Sequence, residues 1–205
     1  MSPTIAFGDL EITHDDRVLE PRPWTAIQSR WAAELLGPGA SDRRVLELCA
    51  GAGHIGLLAA SLSGASLVSV DLNPVACDFA RANAERAGLA DRVEVRCVAL
   101  EDAHTDGDAP FDLVIADPPW VPRDDIGRFP EDPELAIDGG PDGLDVARAC
   151  LRHARAAVVE EAAMLLQLGD ADQAQRLASE AAGMGWRGLE LRQGERGVVL
   201  LLEAC

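Results

Sequence analysis

Between Val45 and Leu168, short apolar runs rich in β-branched residues alternate with longer segments of helical pattern. That alternation confines the chain to an α/β fold on a mostly parallel sheet. Strands are expected at Val45 to Ala50, Leu67 to Asp71, Val93 to Val98, Asp112 to Ala116 and Ala163 to Leu168. Helices are expected at Ile55 to Ser63, from Asn73-Pro74 to Gly88, at Asp142 to Val158 and at Ala171 to Ala182. Asn73 suits a helix N-cap and Pro74 the first turn. Two further strands, Trp186 to Arg192 and Gly197 to Glu203, are separated by a turn at Gln193-Gly194. A turn that short permits a hairpin but no parallel crossover, so seven strands are expected with an antiparallel C-terminal edge. Ahead of them, Phe7 to Ile12 suggests a small hairpin, Pro21-Arg22-Pro23-Trp24-Thr25 an extended segment, and Ile27 to Leu36 a helix closed by Gly37-Pro38-Gly39. The 205 residues show no internal repeat or dividing linker. Residues 1–40 are therefore expected to pack on the same domain as residues 41–205.

Within this pattern, residues 111–122, Phe-Asp-Leu-Val-Ile-Ala-Asp-Pro-Pro-Trp-Val-Pro, carry the most chemistry. The apolar half is a buried strand that must stop at Asp117, because Pro118 and Pro119 cannot donate to a sheet ladder. Asp117, Pro118, Pro119 and Trp120 then sit at the carboxyl end of a central strand, where open α/β sheets bind ligands. Such a group can hold a planar –NH2. Asp117 and the Pro118 carbonyl accept its two protons, the indole covers its face, and the nitrogen lone pair is left facing an electrophile.

A second strand end lies at Val45-Leu46-Glu47-Leu48-Cys49-Ala50-Gly51-Ala52-Gly53-His54-Ile55-Gly56. Gly51, Gly53 and Gly56 spell the dinucleotide fingerprint, and Asp71 stands twenty residues past Gly51, where a ribose-binding acid is expected. Two features favour S-adenosylmethionine over a dinucleotide. Glu47 supplies a negative charge that a pyrophosphate would resist and a methionine ammonium would welcome. The Asp117 motif suits methyl transfer to nitrogen and has no evident use in hydride transfer.

The formal net charge is −17, and every basic residue is Arg. This balance provides no basic patch for the counterion release that drives nucleic-acid affinity, so nucleic acid is not the expected partner. A basic protein partner or a small molecule suits it better. No apolar run reaches the length of a membrane span and no signal peptide is evident, which predicts a cytoplasmic protein. The cysteines at 49, 77, 97, 150 and 205 are dispersed and read as reduced core thiols. No spacing suggests a metal site.

The chain resembles the class I S-adenosylmethionine-dependent methyltransferases of the HemK type, the protein-glutamine methyltransferases related to "methyltransferase small domain" enzymes. Asp117-Pro118-Pro119-Trp120 resembles their Asn-Pro-Pro-Tyr motif. Residues 133–145, Pro-Glu-Leu-Ala-Ile-Asp-Gly-Gly-Pro-Asp-Gly-Leu-Asp, are similar to the segment that follows it, and Pro21-Arg22-Pro23-Trp24-Thr25 to their Pro-Arg-Pro-x-Thr. The resemblance implies a Rossmann-like fold and a cofactor site of Glu47, Gly51, Gly53 and Asp71. Glu47 would hold the methionine end and Asp71 the ribose hydroxyls. It also implies a protein substrate, such as a release factor. The chain departs from the family in four places. Cys49 stands where the loop usually has its first glycine. The third strand ends without the usual acid, leaving Glu101 or Asp102 to face the adenine. No counterpart is seen of the helical N-terminal domain with which bacterial HemK enzymes hold release factors. Asp117 replaces Asn, and a carboxylate accepts where an amide can also donate. An adenine amino group on RNA or DNA, a small-molecule amine, and a non-catalytic role activating a second protein are the competing readings.

Among the remaining candidates, His54 is expected to cap its helix or face water, with contact to the cofactor carboxylate as the alternative. Arg123, Asp124, Asp125 and Arg128 fall in a long loop, either as a substrate lid or as solvated charges. His14, His104 and His153 have no partners for a triad or a metal.

Overall fold

The computed structural model describes residues 2–105 and 107–205. The chain opens with a hairpin of β1 (Thr4–Phe7) and β2 (Leu10–Thr13), followed by a 3-10 turn at Pro23–Thr25 and helix α1 (Ala26–Leu36). Then follow β3 (Arg44–Leu48), α2 (His54–Ser63), β4 (Ser66–Asp71), α3 (Pro74–Arg86), β5 (Val93–Cys97) and β6 (Phe111–Ala116). The chain continues through α4 (Glu134–Ile137), α5 (Asp145–Arg155), β7 (Val158–Leu168), α6 (Ala171–Ala181), β8 (Trp186–Gln193) and β9 (Val198–Ala204). Seven of the strands form one sheet in the order β5-β4-β3-β6-β7-β9-β8. The pairs from β5 through β7 are parallel, and β9 runs antiparallel to both β7 and β8.

Both faces of the sheet's centre are covered, so β3, β6 and β9 are mostly apolar, whereas the edge strands β5 and β8 carry exposed charges. Val45, Leu67, Leu113, Ile115 and Leu165 pack with Trp31, Leu57 and Leu58, and the hairpin adds Phe7 and Ile12 to this cluster. Leu46, Leu48, Val68, Val114 and Leu166 point the other way, against Leu144, Ala147, Leu151 and Leu177 of the α5–α6 side. The chain runs outward from β3 through β4 to β5, then returns to β6 on the opposite side of β3. The carboxyl ends of β3, β4 and β6 therefore converge at the point where the winding reverses, the position at which open α/β sheets form a crevice.

The differences from expectation have local causes. The helix expected to reach Val158 ends at Arg155, because β7 already starts at Val158, pairs with Phe111, and passes a bulge at which Glu161 adopts φ +63°. The segment expected to be extended throughout at 21–25 is extended only to Arg22. Pro23 sits at the first position of the 3-10 turn, where its missing N–H costs nothing. Strand β3, expected to reach Ala50, stops at Leu48, because Cys49 turns left-handed with φ +57°. No helix among the described residues is long and apolar enough to cross a membrane.

Candidate active site

The turn after β3 is tied directly to β4. Ala50 N–H donates to the Val70 carbonyl at 3.1 Å, and Gly51 N–H donates to Asp71 Oδ2 at 2.7 Å. Asp71 Oδ1 accepts from Asn73 N–H at 2.8 Å, so the carboxylate is oriented from both sides. Burial nevertheless raises its pKa above the usual carboxylate value. Each oxygen keeps a lone pair, enough to accept from a diol. Gly51 has φ +55°, and a Cβ there would meet nothing within 4 Å. The backbone is thus bare on the side a ligand approaches. Gly53 serves packing instead: its Cβ would lie 3.1 Å from the Ala80 Cβ on α3.

Glu47 is buried beneath this turn. It shares a face of β3 with Val45, toward α2, and is 1% exposed. Its Oε1 accepts from Gly56 N–H at 2.7 Å and its Oε2 from the Ser69 hydroxyl at 2.8 Å. A Cβ on Gly56 would come within 2.4 Å of Oε2, so the third glycine of the fingerprint makes room for this carboxyl group. Glu47 is not among the residues lining the cavity described next. It braces β3, β4 and the start of α2.

A cavity of about 390 Å³ opens above these strand ends, within the range of small-molecule sites. Cys49, Gly51, Asp71, Asp117 and Pro119 line it, with Val98 to Glu101 at one end. Glu101 faces the cavity and Asp102 does not. Among the described residues the Asp117 carboxyl group has no hydrogen-bond partner, and burial pushes its pKa up to about 7. Burial likewise holds Glu47 at about 7, with smaller contributions from Asp71 and Asp117. Asp71 and Asp117 thus line one site with Glu47 buried behind it, a field that favours a cation and opposes a pyrophosphate.

Pro118 and Trp120 do not line the cavity. The Trp120 ring packs on Gly169, where a Cβ would fall 2.6 Å from Cε3. Its carbonyl accepts from Gln173 Nε2 at 2.9 Å, and Gln173 N–H is in turn held by the N-cap Asp170 at 2.8 Å. The motif therefore has two sides, Asp117 and Pro119 toward the cavity and Trp120 seated against the start of α6.

Several contributors were not singled out in the sequence. Gln28, buried on α1, donates through Nε2 to the carbonyls of Ala116 and Leu165, both at 2.9 Å, which fixes the end of β6 just before Asp117. A glutamine on the inner face of α1, between Ala26 and Trp31, is the signal the sequence offers. Arg17, Val18, Leu135 and Ala136 also line the cavity. An Arg22–Asp132 ion pair of 2.7 Å joins the Pro21–Thr25 segment to the loop beyond Trp120. Arg123 pairs with Asp138 at 3.0 Å and Arg128 with Asp125 at 3.3 Å. His54 neither caps α2 nor faces water. It lines the cavity edge-on to Phe7, and burial lowers its pKa to about 3, keeping the ring neutral.

The donor set fits S-adenosylmethionine: acceptors at Asp71 for a diol, a bare glycine backbone, an apolar end at Val98 and Leu100, and a carboxyl field for a sulfonium. Asp71→Ala is expected to weaken binding of this cofactor by about 1–3 kcal/mol, the cost of unpaired hydroxyl partners. Calorimetric titration checks this. Binding of NAD, with no heat from S-adenosylmethionine, would reverse the assignment.

Residues 45–131 match the model of a methyltransferase domain. The chain is 38% identical over 189 residues to a release factor glutamine methyltransferase of Deinococcus radiodurans, covering 89% of this chain and 65% of that protein. It is 28% identical over 205 residues to a ribosomal protein uL3 glutamine methyltransferase of Francisella tularensis, covering 95% of this chain and 63% of that one. The chain thus spans somewhat less than two thirds of these relatives' length. Among solved structures, the N-terminal domain of human METTL16 in complex with SAH superposes with a TM-score of 0.70 at 20% identity, covering 95% of this chain and 75% of that one. That similarity speaks to the fold. The sheet order, the glycine turn tied to Asp71, the strand-end Asp117 motif and the sequence relatives agree: the chain carries an S-adenosylmethionine-dependent methyltransferase domain and is similar to the glutamine methyltransferases of the HemK type.

Proposed function

We propose that the chain transfers a methyl group from S-adenosylmethionine to the side-chain amide nitrogen of a glutamine in a protein substrate. The observation that carries this is the unpaired Asp117 carboxyl group, which faces the cavity at the end of a strand that Gln28 holds in place. The cofactor supplies a sulfonium whose methyl is already electrophilic, so the protein's task is alignment. Asp117 accepts an N–H of the target and keeps its lone pair directed at the cavity. Pro119 walls the approach, and Trp120, seated on Gly169 and Gln173 outside the cavity, anchors the motif from behind. The release factor and uL3 named for the relatives supply the substrate class to test. Incubation with methyl-labelled S-adenosylmethionine and each of these proteins is expected to label a glutamine. Label that stays on nucleic acid or on a metabolite pool alone would overturn the reading.

The value of about 7 for Asp117 answers the substitution of Asp for Asn. A protonated carboxyl group accepts through one oxygen and donates through the other, the complement an Asn amide offers. With a glutamine amide as acceptor, kcat/KM is expected to fall as pH rises through this ionisation. With an aromatic amino group, which needs acceptors only, it is expected to rise. A bound cation lowers the value, so the inflection lies at or below pH 7. The pH profile of the purified protein distinguishes the two.

The second reading, an adenine amino group on RNA or DNA, is favoured by the carboxylate form of Asp117 and opposed by the charge of −17. Gel shifts with tRNA and duplex DNA at moderate salt are expected to show little binding. A tight, salt-sensitive shift would revive it.

A further inference from the structure

The sequence scatters its cysteines, yet two of them meet at the cofactor cavity. Cys49 lines it and holds φ +57° in the turn after β3. Cys150 is fully buried in α5, among the apolar side chains that cover this face of the sheet. The two are 101 residues apart in sequence, and their Sγ atoms are 3.9 Å apart. A disulfide needs about 2.05 Å, so closing the gap takes a movement of about 2 Å, within reach of side-chain rotation and a small shift of the turn. A non-glycine residue in the left-handed region is uncommon, and here its thiol is directed at the second cysteine.

We propose that Cys49 and Cys150 form an oxidisable dithiol, a modification site for peroxides, whose disulfide closes the cofactor cavity. Cys49 supplies the attacking thiol because it, and not Cys150, is a residue lining the cavity. Its sulfur, as thiolate, attacks one peroxide oxygen; the O–O bond breaks, an S–O bond forms, and the departing hydroxide takes up a proton to leave as water. Cys150 sulfur then attacks the Cys49 sulfenic acid. An S–S bond forms, the S–O bond breaks, and the oxygen leaves as a second water with the Cys150 proton. Two thiols are oxidised to one disulfide as one peroxide is reduced to two waters. Hydrogen bonding to Cys150, with burial, raises the Cys49 pKa well above the usual thiol value, so the reaction is slow at neutral pH and accelerates as pH rises.

The consequence for the cofactor follows from what Cys49 precedes. Ala50 N–H holds β4 and Gly51 N–H holds Asp71, so pulling Cys49 toward α5 displaces both bonds. This second half rests on the cofactor reading given above. A different pair, Cys77 and Cys97, also stands close, but the Cys77 thiol donates to the Asp71 carbonyl at 3.4 Å and neither residue lines the cavity.

The test is peptide mapping by mass spectrometry of the full chain after hydrogen peroxide, with and without S-adenosylmethionine, paired with calorimetry of the reduced and oxidised protein. The expected results are a Cys49–Cys150 cross-link that dithiothreitol reverses, slower cross-linking with the cofactor bound, and a loss of affinity of about tenfold or more on oxidation, the worth of one or two ligand contacts. Cys150→Ala is expected to give no cross-link and to leave Cys49 oxidised irreversibly. If Cys49 and Cys150 stay reduced while Cys97 or Cys205 oxidises, or if only Cys77–Cys97 forms, the proposal is overturned. A Cys49–Cys150 bond that leaves the affinity unchanged refutes the closure. A cross-link in a protein that binds no S-adenosylmethionine even when reduced refutes the cofactor reading and leaves the dithiol standing.

Discussion

Asp117→Ala is expected to lower turnover by about 10²–10³-fold while leaving the affinity for S-adenosylmethionine within about twofold of the parent. The asymmetry follows from the absence of any structural bond at this carboxyl group. Among the described residues no donor meets it, whereas Asp71, at the end of β4 on the far side of β3, accepts from Gly51 and Asn73. Removing Asp117 therefore deletes an acceptor for the methyl target without loosening the turn that holds the cofactor. The variant should also fold at least as well. A carboxyl group raised from 3.8 to about 7 binds its proton more tightly in the folded state, so its effect on stability becomes unfavourable as pH rises between those values. The full difference is about 4 kcal/mol, and Asp117→Ala escapes it above pH 7. Asp117→Asn keeps one acceptor and one donor without ionising. With a glutamine substrate it should retain turnover and lose the pH inflection; with a ring amino group it should lose turnover. Steady-state kinetics beside thermal melting separates these outcomes. Near-normal turnover of Asp117→Ala would reduce the Asp-Pro-Pro-Trp motif to a turn.

Much of this arrangement is legible in the sequence because it rests on local rules. The apolar runs separated by helical pattern set the sheet, and a loop too short for a crossover sets its antiparallel edge. Pro118 and Pro119 place Asp117 at a strand end whatever surrounds it. Asn73 and Pro74 start α3 where their chemistry predicts, with Asn73 Oδ1 accepting from Val75 N–H at 2.9 Å. What escaped detection depends on contacts between distant segments. Gln28 reaches residues 88 and 137 positions away. Trp120 is seated by Gly169 and Gln173, and Cys49 meets Cys150, pairs that no spacing announces. Glu47 is a different case. It stands in a strand buried on both faces, where an acid must find partners inside the protein.

That placement gives the second large effect. Glu47→Ala is expected to destabilise the fold by about 2–4 kcal/mol, because it strands the Gly56 N–H and the Ser69 hydroxyl in a dry interior and leaves a void. For a chain of this length the corresponding fall in Tm is about 5–15 °C. Glu47→Gln should behave in the opposite way. Its carbonyl can accept from Gly56 N–H while its amide donates to Ser69 Oγ, so both bonds survive. The glutamine also cannot ionise. Glu47 is raised from 4.5 to about 7 by burial, so the protonated form favours folding. Its contribution is fully present below pH 4.5 and is lost as pH rises toward 7, about 3 kcal/mol in all. Glu47→Gln should therefore match the parent near pH 4 and exceed it in stability at pH 8, as thermal melts at the two values would register. Its effect on cofactor affinity should be small, since only a partial, buried charge is removed from the field at the cavity. Were Glu47→Gln to abolish S-adenosylmethionine binding with the melting temperature unmoved, the carboxylate would be a ligand to the methionine ammonium after all, and the brace across β3, β4 and α2 would be secondary.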